Sequence, residues 1–576
     1  MDPHAVSRVL TEIAACLELR GENAFKVRAF QNAARTVEDW PGDLVADVAS
    51  GAFAAAKGIG PATLEVVREY LDTGESRLLG GLREEVPDGL REMLRISGLG
   101  VAKVRAVRDA LGVTTIAALE AAARDGRLAA LPRFGEKTAA KILKGIEFLR
   151  GALSRRLLHH AASQAERWRT ALAALPGVAR AEVAGAVRRR CETVGETALA
   201  VATTRPAPDL AEELLRAGTA REIVASDPGG FTARAEDGSP VEVRCARPER
   251  FGHAWAWATG APGHLDLLAA HARSRGLQLD AAGLATEGTA AGAAPACPDE
   301  ETLFALLGLQ WIPPEIREGA DEVARAAAGS LPHLIERGDL RGVLHCHTGY
   351  SDGANTVAEL AEATRALGYT YLGITDHSVA AAYAGGLDAA AVARQHEEID
   401  AWNRASSGLR ILKGVEADIL ADGRLDYGAA VLDRFDFVIG SVHSRFDLDE
   451  SAMTARVLAA LEDPHLTILG HPTGRLLLSR DGYRIEMRRV IERAAELGVA
   501  IEINGDPQRL DLDWRLCRGA RDAGVAIPIG TDAHSLAGLG NADLGVGIAR
   551  KGWLEAGDVL NTLDAEGFLA YAQARK

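Results

Sequence analysis

The sequence predicts a multidomain protein with a helical helix-hairpin-helix region at the start and an α/β barrel of the (β/α)7 type at the end. Three observations lead there. At 576 residues the chain is too long for one ordinary domain. Three glycine turns of one form, each leading into a helical stretch, occur before residue 150. Beyond Pro332 short apolar runs alternate with amphipathic helical stretches, seven times over.

The glycine turns are "AKGIGPAT" (56–63), "SGLGVAK" (97–103) and "LPRFGEKTAAKIL" (131–143). A GxG turn that opens a helix leaves backbone N–H groups free at a helix N-terminus, where a phosphate can dock. One such turn is an ordinary helix connection. Three, with lysines on or beside them, point to nucleic-acid backbone contacts through Lys57, Gly58, Gly60, Gly98, Gly100, Lys103, Gly135 and Lys137. Lys26 lies in "NAFKVRAFQNAARTV" (23–37), a basic helical stretch near the start. The expected domains are 1–85, small and helical; 86–150, helical with two further hairpins; 151–330, α+β; and 335–576, the barrel. An Ala/Gly-rich stretch, Ala281–Pro298, reads as the one disordered segment.

The seven apolar runs are 342–347, 369–377, 410–419, 435–443, 466–471, 499–505 and 525–534. Nearly continuous apolar strands separated by helices imply a parallel sheet buried on both faces. Closed into a barrel, such strands open their C-terminal ends onto one shared face. The run ends carry His345 and His347; Asp376 and His377; Glu416; His443; His471; and Asp532 and His534. The sixth run offers Glu502 and Asn504. Alternation along a strand turns His345 and His347 the same way and Cys346 the other. An isolated HxH is weak, but ligand-type residues at six strand ends of seven predict a metal cluster at the barrel mouth. Arg445, Arg475 and Arg509 lie in neighbouring segments and are candidate phosphate contacts, with Arg475 the one expected among the catalytic residues.

Composition narrows the classes. Hydrophobic residues make up 47% and charged residues 25% of the chain, values of a globular protein. No apolar run reaches the length of a membrane span, and the start lacks signal-peptide features. Six scattered cysteines form no CxxC, which fits a reducing cytoplasm and argues against a zinc-finger or disulfide framework. A net charge of −15 does not advertise a nucleic-acid binder, but one basic face suffices and acidic ligands lower the sum.

"HCHTGYSDG", "GITDHS", "KGVEADI", "GSVHS", "LGHPTGR" and "IGTDAHS" resemble the motifs of a polymerase-and-histidinol-phosphatase (PHP) domain. The resemblance implies the ligand set His345, His347, Asp352, His377, Glu416, His443, His471, Asp532 and His534. These nine suit up to three divalent ions, Mn²⁺ first, with Zn²⁺ or Fe²⁺ as alternatives. Ahead of the barrel, "EVAGAVRRRCETVGETALAVAT" (182–203), "VEVRCA" (241–246), "FGHAWAWATGAPGH" (251–264) and "LGLQWIPPEIRE" (307–318) resemble the palm and thumb of family X DNA polymerases. Nearly the whole chain is thus similar to bacterial and archaeal members that carry a C-terminal PHP domain.

Five positions depart from that family. Glu196 and Ala198 stand at the paired aspartates, Glu242 at the third, and Ala186 replaces a serine of the triphosphate site. An alanine offers no ligand, and Mg²⁺ demands near-ideal octahedral geometry. Val66 occupies the position of a lyase lysine. The expected protein is a Mn²⁺-dependent 3′→5′ DNA exonuclease of DNA repair, with abasic-site endonuclease as a further activity and a polymerase-like core that binds DNA without extending it. The expected partner is DNA with gaps, nicks or recessed 3′ ends, bound by a monomer in the cytoplasm, at the nucleoid, without membrane association. Three alternatives stand beside it: an active polymerase with a PHP exonuclease, a small-molecule phosphatase of the histidinol-phosphate type, and a non-catalytic DNA scaffold.

Overall fold

The computed structural model describes all residues except 1, 2, 39, 41–43, 57, 97, 287–294 and 576. The chain separates into two compact units, Met1–Ser154 and Arg155–Lys576.

The first unit is helical. Its nine α-helices run from Pro3–Arg20 to Gly135–Leu153 among the described residues. One hydrophobic cluster extends from Val6 to Leu149, so residues 1–85 and 86–150 share a core instead of building two. The turn chemistry is local. Gly58 and Gly98 take positive φ, at 96° and 83°, where a side chain would be strained. Gly60 and Gly100 then cap Pro61–Thr73 and Val101–Leu111 from an extended backbone, without side-chain caps.

The second unit begins with a five-stranded sheet. Its strands are β1 (Val178–Ala184), β2 (Thr197–Thr203), β3 (Glu222–Asp227), β4 (Gly230–Arg234) and β5 (Pro240–Ala246). The order is β1-β2-β5-β4-β3, with β2 and β5 parallel and the other pairs antiparallel. β2 is buried at every position. Helices Leu158–Ala173 and Phe251–Thr259 pack on this strand. A hairpin follows, in which Leu277–Asp280 pairs with Gly283–Thr286. The first part of the stretch expected as disordered is therefore ordered, and 287–294 lies outside the described residues.

The barrel strands are β6 (Gly342–Cys346), β7 (Tyr371–Ile374), β8 (Arg410–Asp418), β9 (Phe437–Ser441), β10 (Ile468–Leu469), β11 (Ala500–Ile501), β12 (Ile503–Asn504) and β13 (Ile529–Ala533). All their pairings are parallel. β11 and β12 are one run interrupted at Glu502. The first piece pairs with β10 and the second with β13, which closes a ring of seven strands. Phe568, from helix Ala565–Gln573, fills the end where the strands begin. Its ring lies 5.9 Å from Tyr371 and 5.1 Å from Phe437. Gly414 leaves room for this packing, since a Cβ there would meet Phe437 at 2.4 Å. With one mouth plugged, the strand C-terminal mouth is the open one.

Ion pairs join the barrel to the sheet region. Glu192 accepts from Trp514 Nε1 at 3.2 Å and faces Arg475 and Arg515 at 3.5 Å each. Arg518 pairs with Asp321 at 2.6 Å and Arg550 with Glu315 at 2.8 Å. Lys551, almost fully buried, pairs with Glu318 and donates to the carbonyl of Arg189.

Candidate metal centre

All nine residues of the PHP-like set meet at the open mouth. Four groups of metal-ligand type form, each with donor atoms within 4.8 Å of one another: His347, Asp352, His377 and His534; His345, His471 and Asp532; His345, His347 and Glu416; His377, Glu416 and His443. Glu416, at the end of β8, is the hub. Its oxygens lie 2.9 Å from His377 Nδ1 and His471 Nε2, 3.2 Å from His443, 3.4 Å from His345 and 3.7 Å from His347.

The route by which His345 and His347 converge is not plain alternation. β6 breaks register between Val343 and Cys346, and His345 sits at a positive φ of 62°. Asp532 and His471 are also left-handed, at 49° and 22°. Strain of this kind persists only where the surroundings hold it, and it collects at functional sites. Cys346 does point away: its sulfur lies 3.3 Å from the Thr531 hydroxyl, and burial pushes the thiol up to about 12.

Burial works against charge throughout the cluster, yet charge pairing wins for the carboxylates. The imidazoles of His443, His377 and His345 hold Glu416 well below the ordinary range. His345, His347 and Arg509 do the same for Asp532. Asp352 is lowered to about 2, against burial, by His534, His347 and His377. Burial, with His534 and His377 beside it, lowers His347 to about 3. Buried His345 Nε2, both nitrogens of His347, His377 Nδ1, His471 Nδ1 and Glu416 Oε2 have no hydrogen-bond partner. Unpaired buried polar atoms are costly, and a bound cation would satisfy the ligand lone pairs here. The donor set is nitrogen and oxygen without sulfur, which fits divalent ions of the Mn²⁺, Fe²⁺ or Zn²⁺ kind.

Two carboxylates orient histidines of the cluster without joining it. Glu502 lies 2.6 Å from His345 Nδ1 and accepts the backbone N–H of His471 at 2.8 Å. Asp418 lies 2.7 Å from His443 Nδ1. Such partners fix ring orientation and tautomer in metal sites. Asp376, grouped with His377 by sequence position, instead accepts from Thr348 N at 2.8 Å and from its hydroxyl at 2.6 Å, anchoring the turn that carries Asp352.

Of the three arginines, Arg509 reaches the cluster, with Nε 3.2 Å from Asp532. Arg475 is turned elsewhere. It donates to the carbonyls of Arg509 and Leu510 and pairs with Asp513 at 2.8 Å, so it props the loop that delivers Arg509. Arg445 is exposed, at a φ of 55°. The cluster opens to solvent at His534 and Asp352, whose side chains are 40% and 34% exposed, whereas His345 and Glu416 are buried.

In the sheet region, Ala198 on β2 is the register partner of Glu242 on β5, so a methyl group stands beside that carboxylate. Glu196 lies immediately before that strand. Its carboxyl is raised by partial burial and by Glu242. Ala186 follows Gly185, which has a φ of 59° and whose Cβ position lies 2.8 Å from that of Ala198. Asp237 is drawn away from Glu242 by Ser239, Gln164 and Arg156.

In the helical unit, Lys103 Nζ donates to the carbonyl of Gly98 at 2.8 Å. The Lys141 side chain lies over the same glycine, 3.5 Å from where a Cβ would be. Lys137 and Gly135 are exposed, and Lys26 is 3.9 Å from Glu22. Lys57 lies outside the described residues. Val66 is buried in its helix.

Comparison with known proteins agrees with this layout. Family models match a helix-hairpin-helix domain at residues 1–76, a SAM-like helix-hairpin-helix tandem at 90–147, a DNA polymerase beta thumb at 254–318 and a PHP domain at 344–505. The "DNA polymerase/3'-5' exonuclease PolX" of Bacillus subtilis is 37% identical over 571 residues, 98% of each chain. The probable phosphatase TTE1963 of Caldanaerobacter subterraneus is 34% identical over 147 residues, 24% of this chain and 55% of that protein. The probable phosphatase YcdX of Escherichia coli is 27% identical over 209 residues, 34% of this chain and 80% of that protein.

Fold and site together define a DNA-binding enzyme with a polymerase-like body and a PHP barrel whose mouth gathers groups suited to a divalent metal. The chain belongs to the family X DNA polymerases of the PolX type, which join helix-hairpin-helix, thumb and PHP domains in one polypeptide. Among the described residues no helix is long and apolar enough to cross a membrane.

Proposed function

We propose that this protein is a DNA phosphodiesterase that removes nucleotides in the 3′→5′ direction at the barrel mouth, while its polymerase-like palm holds DNA and does not extend it. The nine-residue cluster with unpaired buried donor atoms carries the reading. The direction is that of the Bacillus subtilis relative, which is named a 3'-5' exonuclease. Mn²⁺ is the proposed metal, in up to three positions, with Zn²⁺ and Fe²⁺ as the other members of the class the donors suit. Bound there, divalent ions supply activated water near neutral pH and charge compensation on the phosphoryl oxygens. The chain's own residues do the rest. Glu416 holds five imidazoles around one carboxylate. Arg509 presents a guanidinium beside Asp532, where a phosphate oxygen would need a cation. Asp352 and His534 form the open edge by which a strand end enters.

The palm reading rests on Ala198. A methyl beside Glu242 leaves the site with two carboxyls, Glu196 and Glu242, where the family's pattern has three. The helix-hairpin-helix unit, with Lys103 and Lys141 around Gly98, is the proposed backbone grip. Gapped, nicked or recessed DNA bound by a monomer completes the reading, with abasic-site cleavage as a second reaction of the same centre. An active polymerase is the second reading, favoured by the name of the full-length relative. The test is a nuclease and primer-extension assay on primer–template DNA labelled at either end, across Mn²⁺, Mg²⁺, Zn²⁺ and Fe²⁺. Shortening of the 3′ end in Mn²⁺, stopped by EDTA, is expected. Extension in a His345→Ala background would favour the second reading instead.

A further inference from the structure

Tyr383 is out of place for a structural residue. Its side chain is 69% exposed, although large aromatic rings are ordinarily well covered. Its ring centroid is nevertheless only 6.3 Å from that of His377 and 6.4 Å from that of His443, two members of the cluster. The ring therefore stands at the rim of the mouth, beside the metal-ligand residues and open to solvent.

The loop that presents it is pinned at its base. Leu387 N–H donates to His377 O at 2.9 Å, and Ala381 N–H to Ser378 O at 3.0 Å. Ala380 N–H is held by Asp426 at 2.8 Å. Gly386 passes so close to Ser378 that a Cβ would fall 1.9 Å from its carbonyl oxygen. Tyr383 lies on the single helical turn Ala382–Ala384 at the tip of this closed loop. A fixed loop with an exposed aromatic ring holds that ring ready for a flat partner. Arg509, with Nε 3.2 Å from Asp532, is a cation of the same cluster that can meet a phosphate oxygen.

We propose that Tyr383 is the stacking platform for the terminal nucleobase, so that the site takes an unpaired strand end, with the base on Tyr383 and the scissile phosphate over the cluster. This rests on the exonuclease reading above and names the side chain that positions the terminal nucleotide for it. Stacking on an aromatic side chain is tolerant of sequence because every base has a π-face, so the platform would grip any terminal nucleotide. Tyr383 would be a positioning residue with no bond-breaking role, and its effect should fall on KM and leave kcat nearly alone.

The test uses the full-length protein in Mn²⁺ with two short single-stranded oligonucleotides, identical except that one ends in deoxyadenosine and the other in a tetrahydrofuran abasic residue. The wild type should show a KM at least about tenfold lower for the base-ended strand, in line with single-base stacking. Tyr383→Ala should abolish that preference while keeping kcat on the abasic strand, and Tyr383→Phe should preserve it. Equal KM values for both strands in the wild type, or an unchanged preference in Tyr383→Ala, would overturn the platform and leave the exonuclease reading standing. Cleavage of neither strand would overturn both.

Discussion

The carboxylate of Glu502 lies 2.6 Å from Nδ1 of His345 and also accepts the backbone N–H of His471, so one side chain sets two ligand residues from neighbouring parts of the barrel. Glu502 occupies the break between β11 and β12, where the strand leaves one partner for the other. Glu502→Ala should keep the fold and lower Mn²⁺ affinity about 10–100-fold, the usual cost of losing such a partner. Metal titration of the purified variant reads this directly, and excess Mn²⁺ should restore part of the activity. Unchanged affinity would mean that His345 is oriented by other means.

The palm should not polymerise. In a His345→Ala background, where degradation cannot mask synthesis, primed template with all four nucleotides should give no extended product. Glu196→Asp, Ala198→Asp and Glu242→Asp together supply the missing carboxylate geometry, and a trace of extension in that variant alone would tie the loss to these positions. Template-directed extension by the His345→Ala protein itself would contradict the palm account.

Glu300 is held between Arg188 and Arg317 by four contacts of 2.6–2.9 Å and is 1% exposed. Burial opposes its charge, but Arg317 and then Arg188 outweigh it and hold the carboxyl at about 2. For a carboxyl lowered on folding, the stabilisation is complete above its unfolded value and is lost as pH falls toward the folded one. The window is therefore pH 4.5 down to about 2. The effect is worth roughly 3 kcal/mol. Chemical denaturation of wild type and Glu300→Gln should show a stability gap of that order at pH 7, narrowing below pH 4.5. A gap independent of pH would mean that Glu300 is not the titrating group.

Lys103 and Lys141 flank the Gly98 turn and are the best-placed cations for a phosphate there. The double variant Lys103→Ala, Lys141→Ala should weaken DNA binding alike for all sequences. The slope of log K against log salt should fall by about 2, close to 0.9 per lost phosphate contact on duplex DNA. Fluorescence anisotropy at several salt concentrations measures it, and an unaltered slope would remove these lysines from the interface.

The barrel was legible because strands buried on both faces read as unbroken apolar runs, and because ligand-type residues stood at their ends. What the sequence could not separate was ligand from orienter. Glu502, Asp418 and Asp376 stand at strand ends just as Glu416 does, and only the packing shows that they turn toward histidines or backbone donors. Arg475 and Arg509 look equivalent in sequence, but the path of the 506–513 loop directs one to carbonyls and the other to Asp532. The convergence of His345 and His347 was anticipated by alternation, yet it comes from a left-handed residue and a register break, which no periodicity predicts. The hairpin at 277–286 was hidden by its Ala/Gly-rich composition, because its pairing is made by the backbone.

The central claim is that DNA hydrolysis resides in the barrel cluster. It is tested most directly by the rate at which full-length protein shortens 5′-labelled primer–template DNA in Mn²⁺, compared between the wild type and Asp532→Ala. Asp532 lies within reach of His345, His347 and Arg509 at once, so its loss removes a ligand and the anchor of the phosphate-facing arginine. The account predicts a ladder of 3′-shortened products for the wild type, abolished by EDTA, and a rate lower by orders of magnitude for the variant. A variant that degrades DNA at the wild-type rate would contradict it.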